Sequence, residues 1–180
     1  MNISLLRLQT LVPGVSGTPE EIATRLRDRE VEVSRIVPLR ELLHSVVVAR
    51  VESVEQHPNA DRLKVCSVNF GGEANVQVVT GASNVTAGAF YPLIRSGVTL
   101  PNGVKIKKGK LRGEVSEGML GSADELELGT DHAGLMTLSG DLTPGTPLPE
   151  VIDTPGYVLV IDGAATEDDV VRALGGTVAE

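Results

Sequence analysis

Five cations fall within eight residues of this chain, Lys105, Lys107, Lys108, Lys110 and Arg112, and no acid interrupts them. Their spacing predicts an extended strand with a kink. Lys105 and Lys107 share one face, with Ile106 on the other; after a slip of one residue, Lys108, Lys110 and Arg112 hold the cationic face. Gly109 and Leu111 then take the apolar side, and two adjacent lysines facing the same way imply a β-bulge near Gly109. A row of cations along one strand face tracks phosphates, because each contact releases condensed counterions. The same row also guards a solvated edge strand against aggregation. Spacing alone leaves both readings open. Arg62, Lys64 and Arg95 add to the positive charge or simply solvate outer strand faces.

The distribution of charge favours an anionic partner more than the net value of −8 does. Residues 1–61 carry 7 Lys/Arg against 9 Asp/Glu, a net of −2. Residues 62–112 carry 8 against the single acid Glu73, a net of +7, and residues 113–180 carry Arg172 against 14 acids, a net of −13. Screening over about 8 Å at physiological salt lets the central segment act as a local positive field. Such asymmetry is a sequence signal for nucleic-acid interaction.

Other chemistry is sparsely represented. His44, His57 and His132 lie far apart and match no catalytic or ligand spacing, so neither a metal, a cofactor nor a catalytic residue is expected. The single cysteine, Cys66, excludes an internal disulfide and reads as a small buried hydrophobe. Its solitude favours a reducing compartment. No apolar run reaches 18 residues, and Met1–Val12 lacks the basic start and small-residue cleavage site of a signal peptide. The expectation is a cytoplasmic protein with no membrane contact.

These cations need a scaffold, and the chain's periodicity supplies one. Ser4 caps a short apolar helix, Pro13 to Gly17 break it, and Thr18-Pro19-Glu20-Glu21 starts a second helix with Ile22 and Leu26 inward. Val31 to Val37 suggest a return strand. From Ser45 the period changes to strands over 46–54, 63–70, 76–80 and 90–94, and Pro101-Asn102-Gly103 turns into the lysine stretch as a fifth. Five strands with Gly and Pro punctuation fit a small closed antiparallel barrel, and an SH3-like barrel has a similar count. Ser122–Leu128 is a short acidic helix candidate, Leu135–Leu138 a further strand candidate, and 141–149 a Pro/Gly/Thr connector. A strand over 157–161 and a helix capped by Thr166 complete the pattern. Residues 1–40 and the terminal segment are each too short to bury a core, so the economical solution pairs them.

Segment 45–121 resembles the OB-fold tRNA-binding domain of phenylalanyl-tRNA synthetase β subunits, of some methionyl-tRNA synthetases and of free-standing tRNA-binding proteins. The matching pieces are HPNADRLKVCSV (57–68), GASN (81–84) and KGKLRG..SEGML (108–120), in order and at the right spacing. The opening MNISLLRLQTLV and ELELG.DHAGL (125–135) are similar to the start of the bacterial β subunit in particular. The resemblance covers roughly residues 1–160. It implies a mainly β chain with flanking α+β structure: a five-stranded OB barrel, residues 41–150, inserted into a split α+β domain made of 1–40 and 151–180.

Departures accompany the matches. The family's RGVESEGM stands here with Glu114 and Val115 exchanged, which points Glu114 where an apolar residue usually sits. The TPNRPD stretch after the final strand is absent, and the chain stops where the β subunit would continue, a pattern expected of a free-standing, diverged relative. Aromatic residues number only four, Phe70, Phe90, Tyr91 and Tyr157. With so few stacking platforms, a folded RNA read by shape and phosphate is expected rather than a single strand.

The resulting expectation is a non-catalytic tRNA-binding module. Its candidate RNA-binding residues are Lys105, Lys107, Lys108, Lys110, Arg112, Arg62, Lys64, Asn84 and Ser116. Asn84 has the alternative of fixing its own loop, Ser116 of positioning the chain at the barrel rim, and His57 of a locally bonded turn residue. The second hypothesis is a synthetase-associated module whose main partner is a protein, and the acidic last third supports it. The third, a deacylase, lacks a nucleophile with a base. Which RNA is bound and the oligomeric state are open at this point.

Overall fold

Ser4 marks the first turning point of the chain. In the computed structural model, which describes residues 1–178, strand β1 (Asn2–Ser4) ends there and helix α1 (Leu5–Leu11) begins. The Ser4 hydroxyl accepts the Arg7 N–H at 3.0 Å, satisfying one of the orphan donors of the first turn. Helix α2 (Pro19–Arg27) starts from the capping box Thr18/Glu21 and buries Ile22, Ala23 and Leu26. Strand β2 (Val33–Pro38) returns, and a single turn of helix α3 (Leu39–Leu42), tightening into a 3-10 turn at Leu43–Ser45, hands the chain to the barrel.

The barrel is a five-stranded antiparallel sheet, nearly closed on itself. Strand β3 (Val47–Gln56) is long enough to pair on both sides, with β4 (Lys64–Asn69) along 50–56 and with β6 (Phe90–Arg95) along 47–50. A bulge between Val51 and Ser53 bends it between those two jobs. Strand β5 (Val76–Thr80) adds to β4. Strand β7 (Gly109–Leu111) pairs with β8 (Glu114–Ser116) in a separate two-stranded sheet, and β9 (Gly118–Leu120) adds to β6, giving the order β5-β4-β3-β6-β9. Inward residues at period two, among them Val51, Cys66, Val68, Val78, Tyr91 and Leu93, fill the interior. Burial pushes the Cys66 thiol pKa up, as expected of a packed, unreactive cysteine.

Two of the sequence expectations are corrected here. The fifth barrel strand is Gly118–Leu120, whereas the lysine stretch lies outside the five-stranded sheet. Ser122–Leu128 is a sequence of turns in place of a helix. Its Ser122/Glu125 box forms, with Ser122 N–H donating at 2.8 Å, but Glu127 adopts φ 56° and Leu128 N–H reaches back to Ala123 O. A positive φ at a non-glycine residue ends a helix within its first turn.

The chain then wraps the barrel. Leu138 bridges Phe90, and Val48 and Leu148 N–H groups bond Thr146 and Val46 carbonyls at 2.8 Å, so residues 145–148 run beside the start of β3. Strand β10 (Tyr157–Ile161) follows and inserts between β1 and β2, pairing Leu159 with both Ile3 and Ile36. Helix α4 (Glu167–Ala173), capped by Thr166, closes the chain's described part. Being central, β10 is apolar on both faces. Tyr157, Leu159 and Ile161 join α1, α2 and α4 in one cluster, while Val158 joins Leu39, Leu43, Val48, Ile94 and Leu148 against the barrel's outer face. No described helix is long and apolar enough to cross a membrane.

Candidate nucleic-acid interface

The cationic stretch is built in two pieces. Pro101-Asn102-Gly103 folds Lys105 back opposite Thr99, and Ile106 exchanges bonds with Val98 O (2.9 Å) and Gly97 N–H (2.8 Å). The Lys108 N–H then bonds the Ser96 hydroxyl at 2.9 Å, which ends this pairing, and Gly109 opens β7. Strands β7 and β8 are joined by the two-residue turn Arg112-Gly113, with φ of 52° and 100°. Consecutive positive φ values match the twist of a tight hairpin and account for the glycine. One continuous kinked strand is thus replaced by two short arms. Arg112 sits at a turn, not on a strand face.

Both ends of the β7–β8 hairpin are tied down by groups the charge pattern does not reveal. On the β8 side, Gln77 donates to the Val115 carbonyl at 2.9 Å and to the Glu114 carboxylate at 3.2 Å. The Ser116 hydroxyl accepts the Val79 N–H (3.0 Å) and donates to Gly118 O (2.9 Å), and Glu117 N–H bonds Gln77 O at 2.9 Å. These bonds close the barrel between β5 and β9 where no regular ladder runs. Ser116 is buried, and its hydroxyl is engaged in these two bonds. On the β7 side, buried His57 bonds the Leu111 carbonyl through Nε2 at 2.8 Å.

Asn84 is likewise engaged. Its amide donates to Leu135 O at 2.8 Å and its carbonyl accepts Leu135 N–H at 2.9 Å, stitching the GASN loop to the DHAGL segment. A Cβ on Gly134 would stand 2.7 Å from Asn84 Oδ1, so this close approach requires glycine. Tyr91, fully buried, donates to Asn84 O at 2.8 Å and holds the same loop from below.

Between these parts runs a groove of about 730 Å³. Its lining includes Lys105, Lys107 and Lys110, the Thr80–Ser83 loop with Ser116, and Asp124, Glu125, His132 and Leu135. Lys108 lies apart, its ammonium 3.1 Å from Glu117. Among the described residues, Lys105, Lys107, Lys110, Arg112, Arg62 and Lys64 have no acid within ion-pair distance. Arg62 is exposed in the turn before β4 and Lys64 half-buried at its start, and neither lines the groove. Of the nine candidates the structure therefore brings three lysines and Ser116 to one groove. No described aromatic side chain is exposed, and Phe70 is further covered by Arg95 at 4.7 Å from its ring centre. An unpaired set of cations without stacking rings suits phosphate contact more than base stacking.

Residues 46–147 match the family described as "Putative tRNA binding domain". The chain belongs to this tRNA-binding family. It is also similar to phenylalanine–tRNA ligase β subunits: 45% identical over 168 residues to that of Bordetella parapertussis, covering 93% of this chain and 21% of the relative. The Salinibacter ruber subunit is 40% identical over 173 residues (88% and 21%), and the Oleidesulfovibrio alaskensis one 39% over 175 residues (97% and 22%). The chain thus spans about a fifth of the length of these curated relatives. Among solved structures it is similar to a MetRS-related protein from Pyrococcus horikoshii, 21% identical with TM-score 0.42 over 57% of this chain and 87% of that one. The C-terminal domain of Plasmodium vivax p43 is 23% identical with TM-score 0.40, covering 57% and 59%.

Within this tRNA-binding domain, the Glu114/Val115 exchange has a local accommodation. Glu114 is half-buried and its carboxylate accepts the Gln77 amide, so the acid is not left unpaired against the barrel. His57, Asn59 and Gln77 were not in the cationic pattern. The HPNAD sequence was the only signal for His57 and Asn59, and it marks a turn without saying what the turn holds; Gln77, inside β5, had none.

Proposed function

We propose that this chain binds folded tRNA non-catalytically, through shape and phosphate contacts in the groove whose lining includes Lys105, Lys107 and Lys110. The observation that carries this reading is the set of three lysines lining one groove, unpaired among the described residues, in a member of a tRNA-binding family. Arg112 at the hairpin turn, Arg62 in the loop before β4 and Lys64 at the start of β4 extend the positive surface. Asn84 and Ser116 serve it by shaping the backbone. Residues 41–150 carry this function as an insertion between 1–40 and 151–180, which act as one split unit. The expected setting is the cytoplasm, and the expected chemistry is binding alone, with no aminoacylation or deacylation.

Titrating total tRNA into the chain at two or more salt concentrations tests the proposal. Steep loss of affinity with salt is expected. Binding that is absent at low salt, or unchanged by salt, refutes it.

A second reading has its own support. Residues 113–180 carry a net of −13, and the similar proteins are synthetase subunits, so a basic surface of a synthetase subunit is the alternative partner. It takes first place if a phenylalanine–tRNA ligase α subunit binds the chain in sedimentation while tRNA does not.

A further inference from the structure

We infer that His57 is a positioning residue for the RNA-binding surface: as a neutral imidazole protonated on Nε2, it fixes the tip of the β7–β8 hairpin and so places Lys110 and Arg112. The inference deepens the tRNA-binding reading and rests on it for its functional part.

The geometry assigns the tautomer. The Asn59 backbone N–H points at His57 Nδ1 at 3.0 Å, and an N–H can only donate, so Nδ1 is the bare, accepting nitrogen. The proton is then on Nε2, which lies 2.8 Å from the Leu111 carbonyl, an obligate acceptor. Both ring nitrogens are used, each in its one permitted role. The ring is 3% exposed, so water does not compete for either bond. Asn59 adds a second tie, its side-chain amide donating to Arg112 O at 3.3 Å. The loop between β3 and β4 (57–63) therefore holds two consecutive carbonyls at the hairpin turn, from a point more than fifty residues away in sequence.

The hairpin needs this hold. All three β7 residues are exposed, Leu111 at 45%, and among the described residues β7 pairs with no strand but β8. A two-stranded hairpin is marginal in water by itself. Its turn also places Arg112 at positive φ, a conformation that costs a non-glycine residue free energy. Gln77 secures β8 to the barrel, but the β7 side and the turn depend on His57 and Asn59. Without them Lys110 and Arg112 would keep their charge and lose their address.

Full-length wild type, His57→Ala, His57→Gln and Asn59→Ala answer the question with three measurements: thermal unfolding, amide exchange resolved to residues 109–114, and tRNA affinity at fixed salt. In His57→Ala, exchange at 109–114 should quicken roughly tenfold while barrel amides such as Val78 and Leu93 stay as protected as in wild type. tRNA affinity should fall several-fold. Gln places an amide N–H near the position of Nε2, so His57→Gln should recover most of both losses, and Asn59→Ala should show a smaller version of each. Nitrogen shifts of wild-type His57 should show the proton on Nε2. Unchanged hairpin exchange in His57→Ala, or a loss spread over all barrel amides and not relieved in His57→Gln, overturns the inference. Looser hairpin exchange with unaltered tRNA affinity overturns its functional part. If wild type itself binds no tRNA, the binding reading fails while the exchange data still decide whether His57 holds the hairpin.

Discussion

Lys108 and Lys110 are two residues apart and do different things. Lys108 spends its charge on Glu117 at 3.1 Å, whereas Lys110 faces the groove with Lys105 and Lys107. Replacing Lys105, Lys107 and Lys110 by Ala should therefore flatten the salt dependence of tRNA binding by up to about three units of log–log slope, at roughly 0.9 per phosphate contact. Lys108→Ala should change the slope by less than any one of the three. Slopes measured by fluorescence titration over a salt series check both, and a Lys108 effect equal to that of Lys110 would remove the distinction. A glycine gives the second expectation at this scale. Gly134→Ala must push Asn84 off its paired bonds to Leu135, and a loss of about 1–3 kcal/mol is expected in denaturant unfolding.

Strand β10 is the element that makes one body of the two chain ends. Leu159, fully buried between β1 and β2, meets α1, α2 and α4, and truncating it to Ala should cost about 2–5 kcal/mol through lost burial and the cavity left behind. A shift in urea midpoint with an unchanged slope measures this. The helices that cover the sheet add an ionic link. Arg7 on α1 grips Glu167 on α4 with bonds of 2.9 and 2.7 Å, which hold the Glu167 carboxyl below its usual range and raise Arg7 above its own. A carboxylate whose pKa is depressed by folding stabilises above its unfolded pKa and loses that contribution as pH falls through the folded value. Both side chains are about half exposed, so the expected loss in Glu167→Gln is about 0.5 kcal/mol or less at neutral pH, vanishing in acid. Unfolding of the variant and wild type across pH 2 to 7 (about the span of carboxylate titration) should show curves that converge at the acid end.

At the scale of the whole molecule, charge is segregated: +7 over residues 62–112 and −13 over 113–180. The two signs meet in the groove, whose lining holds Asp124 and Glu125 as well as Lys105, Lys107 and Lys110. On the proposed reading the phosphate backbone follows the lysines, and no described aromatic ring is exposed to stack bases. Affinities for different tRNAs should accordingly differ by less than one bidentate base contact would produce, about 1–3 kcal/mol. Competition among purified tRNAs at one salt concentration measures the spread, and a larger preference would point to base-edge readout.

Composition and local pattern by themselves determined the helix caps at Ser4, Thr18 and Thr166, four of the five barrel strands, and the segment where positive charge gathers. These are short-range properties: a capping hydroxyl, an alternation of two, a turn glycine. They also bounded the chemistry, since the residue types for a metal cluster or nucleophile-base pair did not occur at a suitable spacing. What the tertiary structure decided involves partners distant in sequence. Strand β9 displaced the lysine stretch from the barrel because pairing with β6 is a long-range choice that a three-residue strand cannot announce. Asn84 and Ser116 bond partners, Leu135 and Val79, that lie 51 and 37 residues away. His57 is locally bonded as a turn residue, accepting the Asn59 N–H, but its second ring nitrogen also reaches Leu111 across 54 residues. Charge is readable one residue at a time; the address of each charge is set by hydrogen bonds that only the closed barrel brings within reach.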